Sequence, residues 1–166
     1  MKLRAKIAIV TGAASGIGQA SALAFAREGA NLVVVDVDKR GGEETRETIR
    51  ARGGEAFFDR MDVTSEAEVS RMVGETVARW GRIDILFNNA GIVLVKPLEE
   101  TTEAEWDRVL SINLKAAFLT IKHVAPHMRR GSEGTRYKFS GQGGLRGGRR
   151  IPLRPSDLHR RHGLCR

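Results

Sequence analysis

With 166 residues, 41% of them hydrophobic, the chain is long enough for one domain with a buried core and too short for two comfortable ones. Its single cysteine, Cys165, excludes an internal disulfide framework and suits a reducing, cytoplasmic setting, and no apolar run approaches the ~20 residues of a membrane span. The formal charge of +8 divides unevenly, since residues 1–128 hold 17 Lys/Arg against 18 Asp/Glu and residues 129–166 hold 11 against 2, so the basicity belongs to the tail.

The basic start, Met1-Lys2-Leu3-Arg4-Ala5-Lys6, leads into an apolar run of strand length with no small-residue cleavage site, which argues against a secretory leader. That run, Ile7-Ala8-Ile9-Val10-Thr11, predicts a strand. It passes through Gly12-Ala13-Ala14-Ser15-Gly16-Ile17-Gly18 into a helical pattern over residues 17–28, with Ile17, Ala20, Leu23, Ala24 and Phe25 on one face and Gly29 as terminator. Val33-Val34-Val35-Asp36 is a second strand, continuously apolar as in a parallel sheet buried on both faces. Residues 43–52 read as a polar helix stopped by Gly53-Gly54, and Ala56-Phe57-Phe58 as a third strand leading to Asp62-Val63. Ser65 and Glu68 form a capping-box pattern for a helix whose inner face is Val69, Met72, Val73, Val77 and Trp80. Gly81 ends it, and Ile83-Asp84-Ile85-Leu86-Phe87 makes a fourth strand carrying Asn88-Asn89-Ala90-Gly91 at its carboxyl end. Thr102 and Glu105 open a long helix with Trp106, Val109, Leu110, Leu114, Ala117, Phe118 and Ile121 inward and Pro126 as its end.

Strand and helix alternate, which means parallel neighbours joined by crossovers, a doubly wound sheet. The expected organisation is a nucleotide-binding domain over residues 1–128 and a basic Gly/Arg/Pro-rich tail over 129–166. Thr135-Arg136-Tyr137-Lys138-Phe139 is a poor central strand because two charges fall at positions that should be buried. The segment after it has no amphipathic period and cannot bury enough apolar surface to offset its ordering entropy, so poor order is expected there.

The glycine-rich turn carries the first functional reading. Glycine lets the backbone take positive φ and approach a ligand with no Cβ in the way. The helix opening after Gly16 aims unpaired N–H groups and the positive end of its dipole at whatever lies above the turn, and a pyrophosphate fits there. The spacing G-x-x-x-G-x-G differs from the general dinucleotide fingerprint, and a mere turn is the alternative. Context strengthens the first reading. Asp36 ends the next strand, where a carboxylate can accept from both ribose hydroxyls and repel a 2′-phosphate, or can stand as a solvated acid. Asn113 is an amide within the otherwise apolar stretch Leu110-Ser111-Ile112-Asn113-Leu114, and a buried amide must be hydrogen-bonded. His123, His127, His159 and His162 lack the partner spacing of a metal site, and none is expected.

These residues resemble the short-chain dehydrogenase/reductase family, whose signature T-G-x-x-x-G-x-G is met by Thr11, Gly12, Gly16 and Gly18. Asp62-Val63 resembles the family's adenine-contacting pair, Asn88-Asn89-Ala90-Gly91 its N-N-A-G motif, and Asn113 the asparagine of its catalytic tetrad. The resemblance implies a Rossmann-type α/β fold, a doubly wound parallel sheet in three α/β/α layers, incomplete at its C-terminus. It also implies hydride transfer between a nicotinamide cofactor and a small alcohol or carbonyl substrate. Cofactor contacts are implied for Gly12, Ser15, Gly16, Ile17, Gly18, Asp36, Asp62, Val63, Asn89, Ala90 and Gly91. Ser15 stands where NADP-using relatives often carry a basic residue, which together with Asp36 favours NAD over NADP, although Lys39 and Arg40 lie near. Asp62 would accept from the adenine amino group, with an acid at the start of a helix as the alternative. Asn89 would tie loops together or touch the cofactor. Asn113 would hold a water in a proton relay, or serve as a satisfied core asparagine.

The rest of the family's active site departs from the pattern. Its serine, tyrosine and lysine positions hold Gly141, Arg154 and Leu158, while Ser140, Gly144-Leu145, His159 and Gly163-Leu164 keep register around them. Tyr137-Lys138 is adjacent in sequence and misplaced. Two accounts compete, a chain altered or truncated in its reading frame and a genuine non-catalytic relative that binds NAD; the Arg/Gly/Pro composition favours the first. Nucleic-acid binding by the tail is expected only as weak, salt-labile association, because aromatics for base stacking are nearly absent. Intact relatives are homo-oligomers that associate partly through the helix bearing Asn113, and this chain is expected to be aggregation-prone through an exposed apolar face and an unpaired strand edge.

Overall fold

The sheet is built around β1, Ile7–Thr11, whose residues are all buried, as a parallel strand covered on both faces requires. The computed structural model describes residues 1–131 and the two-residue strand Lys138–Phe139. β2 (Asn31–Asp36) lies parallel to β1, from Ile7 opposite Asn31 to Thr11 opposite Val35, and β3 (Ala56–Arg60) lies outside β2. On the other side of β1 stands β4 (Ile85–Asn88), and β5 (Lys138–Phe139) pairs with it, Phe87 opposite Lys138. The order β3-β2-β1-β4-β5 confirms the parallel Rossmann-like sheet and puts its reversal of strand order between β1 and β4. That is the switch point where open α/β sheets hold ligands.

Side chains of successive strand residues point to opposite faces, so the sheet feeds two cores. Ile9, Val33, Val35 and Leu86 pack with Met72 of α3 (Glu66–Trp80) and Leu119, Val124 and Met128 of α5 (Ala116–Gly131). Ala8, Val10, Leu32, Val34 and Phe87 pack with Ala22 of α1 (Gly16–Arg27) and Ile49 of α2 (Lys39–Ala51). Among the described residues no helix is long and apolar enough to cross a membrane.

Three local expectations are corrected. α2 starts at Lys39, ahead of the polar run 43–52, because Asp38 caps it by accepting from Arg40 N–H at 3.0 Å. Gly41 and Gly42, which look like breakers, are there for close approach: a Cβ on Gly42 would lie 2.0 Å from the Phe58 ring. The Ser65–Glu68 capping box is only half made, since Ser65 accepts from Glu68 N–H but the Glu68 carboxylate accepts from Asp62 N–H instead. Pro126 does not end its helix, which runs on to Gly131; the proline is on the exposed face, where water can serve the carbonyl it leaves unpaired.

The largest correction concerns the long helix. It is α4 (Glu103–Leu110), a π-helical turn over Ser111–Lys115 and α5 in succession. Trp106, Leu110, Leu114 and Phe118 are 52%, 40%, 61% and 60% exposed, so the stripe read as inward faces out. Of the residues expected inward, Ala117 is buried and Ile121 packs against the core, and the rest of the inward face is Ala116, Leu119, Thr120, Val124 and Met128. Two apolar stripes run along one helix, and the one with larger side chains is the outer one. The strand read as poor does pair with β4, over Lys138–Phe139 alone. Otherwise the tail beyond Gly131, with Gly141, Arg154 and Leu158, lies outside the described residues.

Candidate functional site

Thr11 ends β1 with its hydroxyl buried, accepting from Asn89 N–H at 3.0 Å and Ala90 N–H at 3.1 Å. One oxygen thus ties the first strand to the loop after β4. The chain then turns upward through three glycines that are needed for different reasons. A Cβ on Gly12 (φ +66) would stand 2.9 Å from Ala90 Cα, and one on Gly18 would stand 1.9 Å from the Gly12 carbonyl oxygen. Those two are steric. Gly16 (φ +53) has nothing within 4 Å of where a Cβ would be, so it needs glycine for its left-handed backbone and opens onto free space.

That opening is lined with donors. Ser15 is extended ahead of α1 (φ −154, ψ 173) and makes no side-chain cap, and no acid stands in the first turn. The amides of Gly16, Ile17 and Gly18, with the positive end of the helix dipole, are therefore set for an anion. Ile17 is 67% exposed beside them. Asp36, half-buried at the end of β2, accepts from Ala14 N–H through Oδ2 at 2.9 Å and from Asp38 N–H through Oδ1 at 3.0 Å. A carboxylate oxygen has a second lone pair, so both keep capacity for hydroxyl donors. An extended anion with a diol beside it fits this cradle.

Asp62 sits at the rim, where Oδ1 accepts from the Thr64 amide and hydroxyl, both at 2.8 Å, in the turn that leads into α3. These contacts are those of an acid starting a helix. Val63 is 7% exposed and belongs to the core. Asn89 Nδ2 donates to the Gly12 carbonyl at 3.2 Å, holding the two loops together beneath the opening, while Ala90 packs against Gly12 and Gly91 lies against the Asn113 amide.

Asn113 is exposed rather than buried, yet both ends of its amide are engaged: Oδ1 accepts from Ile92 N–H at 2.8 Å and Nδ2 donates to Ile92 O at 2.9 Å. It holds the chain just after Gly91. The π turn that contains it, closed by Ala116 N–H onto Ser111 O, is a distortion frequent at functional sites. The loop between β4 and α4 carries exposed Val93, Val95 and Leu98, and its far end is fixed by Lys96 on Glu105 at 3.0 Å. The Thr102 backbone N–H, Lys96 and the Thr102 hydroxyl hold the Glu105 carboxyl down to about 2.

Three threonines and a glutamine matter more here than the sequence indicates. Besides Thr11, Thr120 donates to Asn88 Oδ1 at 2.8 Å, and Thr45 and Gln19 reach the carbonyls under the glycine turn. A threonine inside a helix reads only as a weak helix former; its one available signal is to fall on the inward face.

The family description short chain dehydrogenase matches residues 6–149. A Thermotoga maritima protein described as an uncharacterized oxidoreductase is 40% identical over 154 residues, covering 93% of this chain and 59% of its own. A cyclopentanol dehydrogenase from Comamonas is 37% identical over 142 residues, covering 86% of this chain and 57% of its own. A metagenomic short-chain oxidoreductase crystallised in complex with NADP superposes with a TM-score of 0.73 at 35% identity, covering 77% of this chain and 58% of its own. The chain therefore spans about three fifths of the length of these relatives.

Proposed function

The chain belongs to the short-chain dehydrogenase/reductase family, and on that premise we propose that it forms the cofactor-binding part of an NAD(P)-dependent oxidoreductase that prefers NAD. The observation that carries this is the opening above Gly16, with the first amides of α1 on one side and the Asp36 carboxylate on the other. When bound, the nicotinamide exchanges hydride with an alcohol or carbonyl carbon. The chain's own residues bind and orient. Gly12, Ser15, Gly16, Ile17 and Gly18 cradle the pyrophosphate, and Asp36 accepts from the ribose hydroxyls and disfavours a 2′-phosphate. Asp62 and Val63 border the adenine, and Asn89, Ala90 and Gly91 form the opposite wall. Asn113 fixes the Ile92 backbone and, in the role implied for it, a relay water. The binding unit is assigned to residues 1–128, in a cytoplasmic protein.

Proton transfer is the weak part of this chain. Arg154 stays protonated at any working pH, Leu158 offers no charge and Gly141 no hydroxyl. Losing a positioned acid/base costs about 10²–10⁴-fold in rate. The same three positions favour a second reading, a module that binds NAD without turning it over. Reading the encoding DNA in all frames separates the two, because serine, tyrosine and lysine at the family spacing in another frame would favour the enzyme. Isothermal titration of the purified chain with NAD and NADP tests the common core of both, and NADH absorbance with a panel of secondary alcohols tests turnover. Tighter binding of NAD with turnover near background is expected. Binding of neither cofactor would remove the proposal, and robust turnover that vanishes in Asn113→Ala would refute the account of the tail.

Self-association is proposed through the outward stripe Trp106, Leu110, Leu114 and Phe118, which borders a shallow groove also lined by Asp107, Ser111 and Lys115. The chain is expected to associate loosely rather than as one sharp tetramer.

A further inference from the structure

The peptide joining Ala13 to Ala14 is held from both sides. Its amide, Ala14 N–H, donates to Asp36 Oδ2 at 2.9 Å. Its carbonyl, Ala13 O, accepts from the Thr45 hydroxyl at 3.0 Å. A trans peptide sets its C=O and N–H in opposite directions, so fixing both ends leaves the plane no freedom to rotate. Thr45 is wholly buried on α2, and it reaches the turn because α2 lies so close that a Cβ on Gly41 would stand 2.7 Å from Ala14 O. Its proton lies between Ala13 O and Gly41 O, the latter at 2.9 Å, and its oxygen accepts from Gln19 Nε2 at 3.0 Å. The same Gln19 nitrogen approaches Ala14 O at 3.4 Å. The carbonyls of two consecutive residues are thus drawn inward beneath the turn. By the same trans geometry, drawing Ala14 O inward turns the Ser15 N–H outward, toward the opening.

We propose that Thr45, seconded by Gln19, is a positioning residue for the pyrophosphate-binding amides: its hydroxyl fixes the Ala13–Ala14 peptide, and through it the direction of the donors from Ser15 to Gly18. This rests on the dinucleotide reading above. Thr45 touches no part of the ligand. Its effect is largest on ligands that carry a pyrophosphate and smaller on those that occupy only the adenosine side, where Asp36 is also held by Asp38 N–H.

The test uses the full chain and three variants, Thr45→Val, which keeps the shape and removes the hydroxyl, Thr45→Ser, which restores it, and Gln19→Met. NAD binding is measured by isothermal titration and adenosine binding by NMR titration. Thr45→Val is expected to weaken NAD about tenfold, the equivalent of one well-placed hydrogen bond, with a clearly smaller loss for adenosine and NAD affinity recovered in Thr45→Ser. Gln19→Met, at a half-exposed site, is expected to weaken NAD by a smaller factor with the same selectivity, and it carries the test if Thr45→Val does not fold. Unchanged NAD affinity in the folded variants, an equal loss for adenosine, or no recovery with serine would overturn the inference while the cofactor reading stands. Failure of the parent chain to bind NAD would overturn both.

Discussion

Gly16 and Gly18 belong to one motif, and the structure separates their roles sharply enough to be measured. In Gly18→Ala the new methyl would sit 1.9 Å from the Gly12 carbonyl oxygen and 2.6 Å from Asn89 Nδ2. The first of these is backbone and cannot rotate away, so the cost lies at the upper end of the overpacking range, about 3 kcal/mol. At about 2–4 °C per kcal/mol for a chain of this size, the melting temperature falls by about 6–12 °C with no ligand involved. In Gly16→Ala the methyl meets nothing within 4 Å, and the penalty is the left-handed backbone at φ +53, about 1–2 kcal/mol. Its larger effect is on binding, since the methyl takes the space a phosphate would approach. At 100 times its Kd, NAD stabilises the parent by about 2.7 kcal/mol, and a hundredfold loss of affinity reduces that to about 0.4 kcal/mol at the same concentration. Thermal melts of both variants with and without NAD decide the matter. If Gly16→Ala keeps the parent's full shift with NAD, or unliganded Gly16→Ala is as damaged as Gly18→Ala, the division of roles is wrong.

Asp36→Ala is expected to narrow the preference for NAD over NADP, and titration calorimetry showing equal affinities in the parent would mean that Asp36 does not face the ribose. Asn113→Ala leaves Ile92 N–H and C=O without their partner, which should cost about 1 kcal/mol at this partly exposed site and speed hydrogen exchange at the Ile92 amide; unaltered protection would deny Asn113 its hold on the loop. The Glu105 carboxyl is lowered from its ordinary 4.5 to about 2, so what it adds to the start of α4 is fully present above 4.5 and is lost as pH falls toward 2. An NMR titration of that side chain with a midpoint near 4.5 would contradict the Thr102 and Lys96 contacts. Leu114→Glu should suppress self-association in light scattering with little change in the melt; association that persists would move the contact elsewhere.

The order of strands and helices was legible because each apolar run ends in a glycine or a capping pair that can be read locally. Thr102–Glu105 forms both halves of its box, and Gly81 takes the left-handed cap expected of it. The glycine turn was legible for the same reason, as conformation and close approach leave glycine as the one residue that fits. What failed was direction. Trp106, Leu110, Leu114 and Phe118 recur at a helical spacing, and a spacing says that side chains share a face without saying what the face meets. The inward stripe is built from alanines, threonine and a few larger residues, a quieter pattern that fits close against the sheet. The apolar neighbours of Asn113 predict burial, but the π turn carries it to the rim. Thr45 and Gln19 could not be linked to Ala13 and Ala14 from sequence, since the contact exists only where α2 closes over the turn.

The π turn also sets a phase. An α-helix advances about 100° per residue, so positions four apart drift by about 40° at each step, and a stripe from Trp106 to Phe118 would wind about 120° around the rod. One surplus residue absorbed between Ser111 and Lys115 takes back about 100° of that winding, and the stripe runs nearly straight. Rewinding those five residues as regular α-helix, with none removed, would leave its backbone hydrogen bonds regular. It would also swing Ala116 through Met128 by about 100° relative to α4, so that no setting of the rod could face the sheet with its alanines and keep Asn113 on Ile92 as well. The irregularity acts as a spacer, one residue long, between α4 and the segment that seats the rod on the sheet.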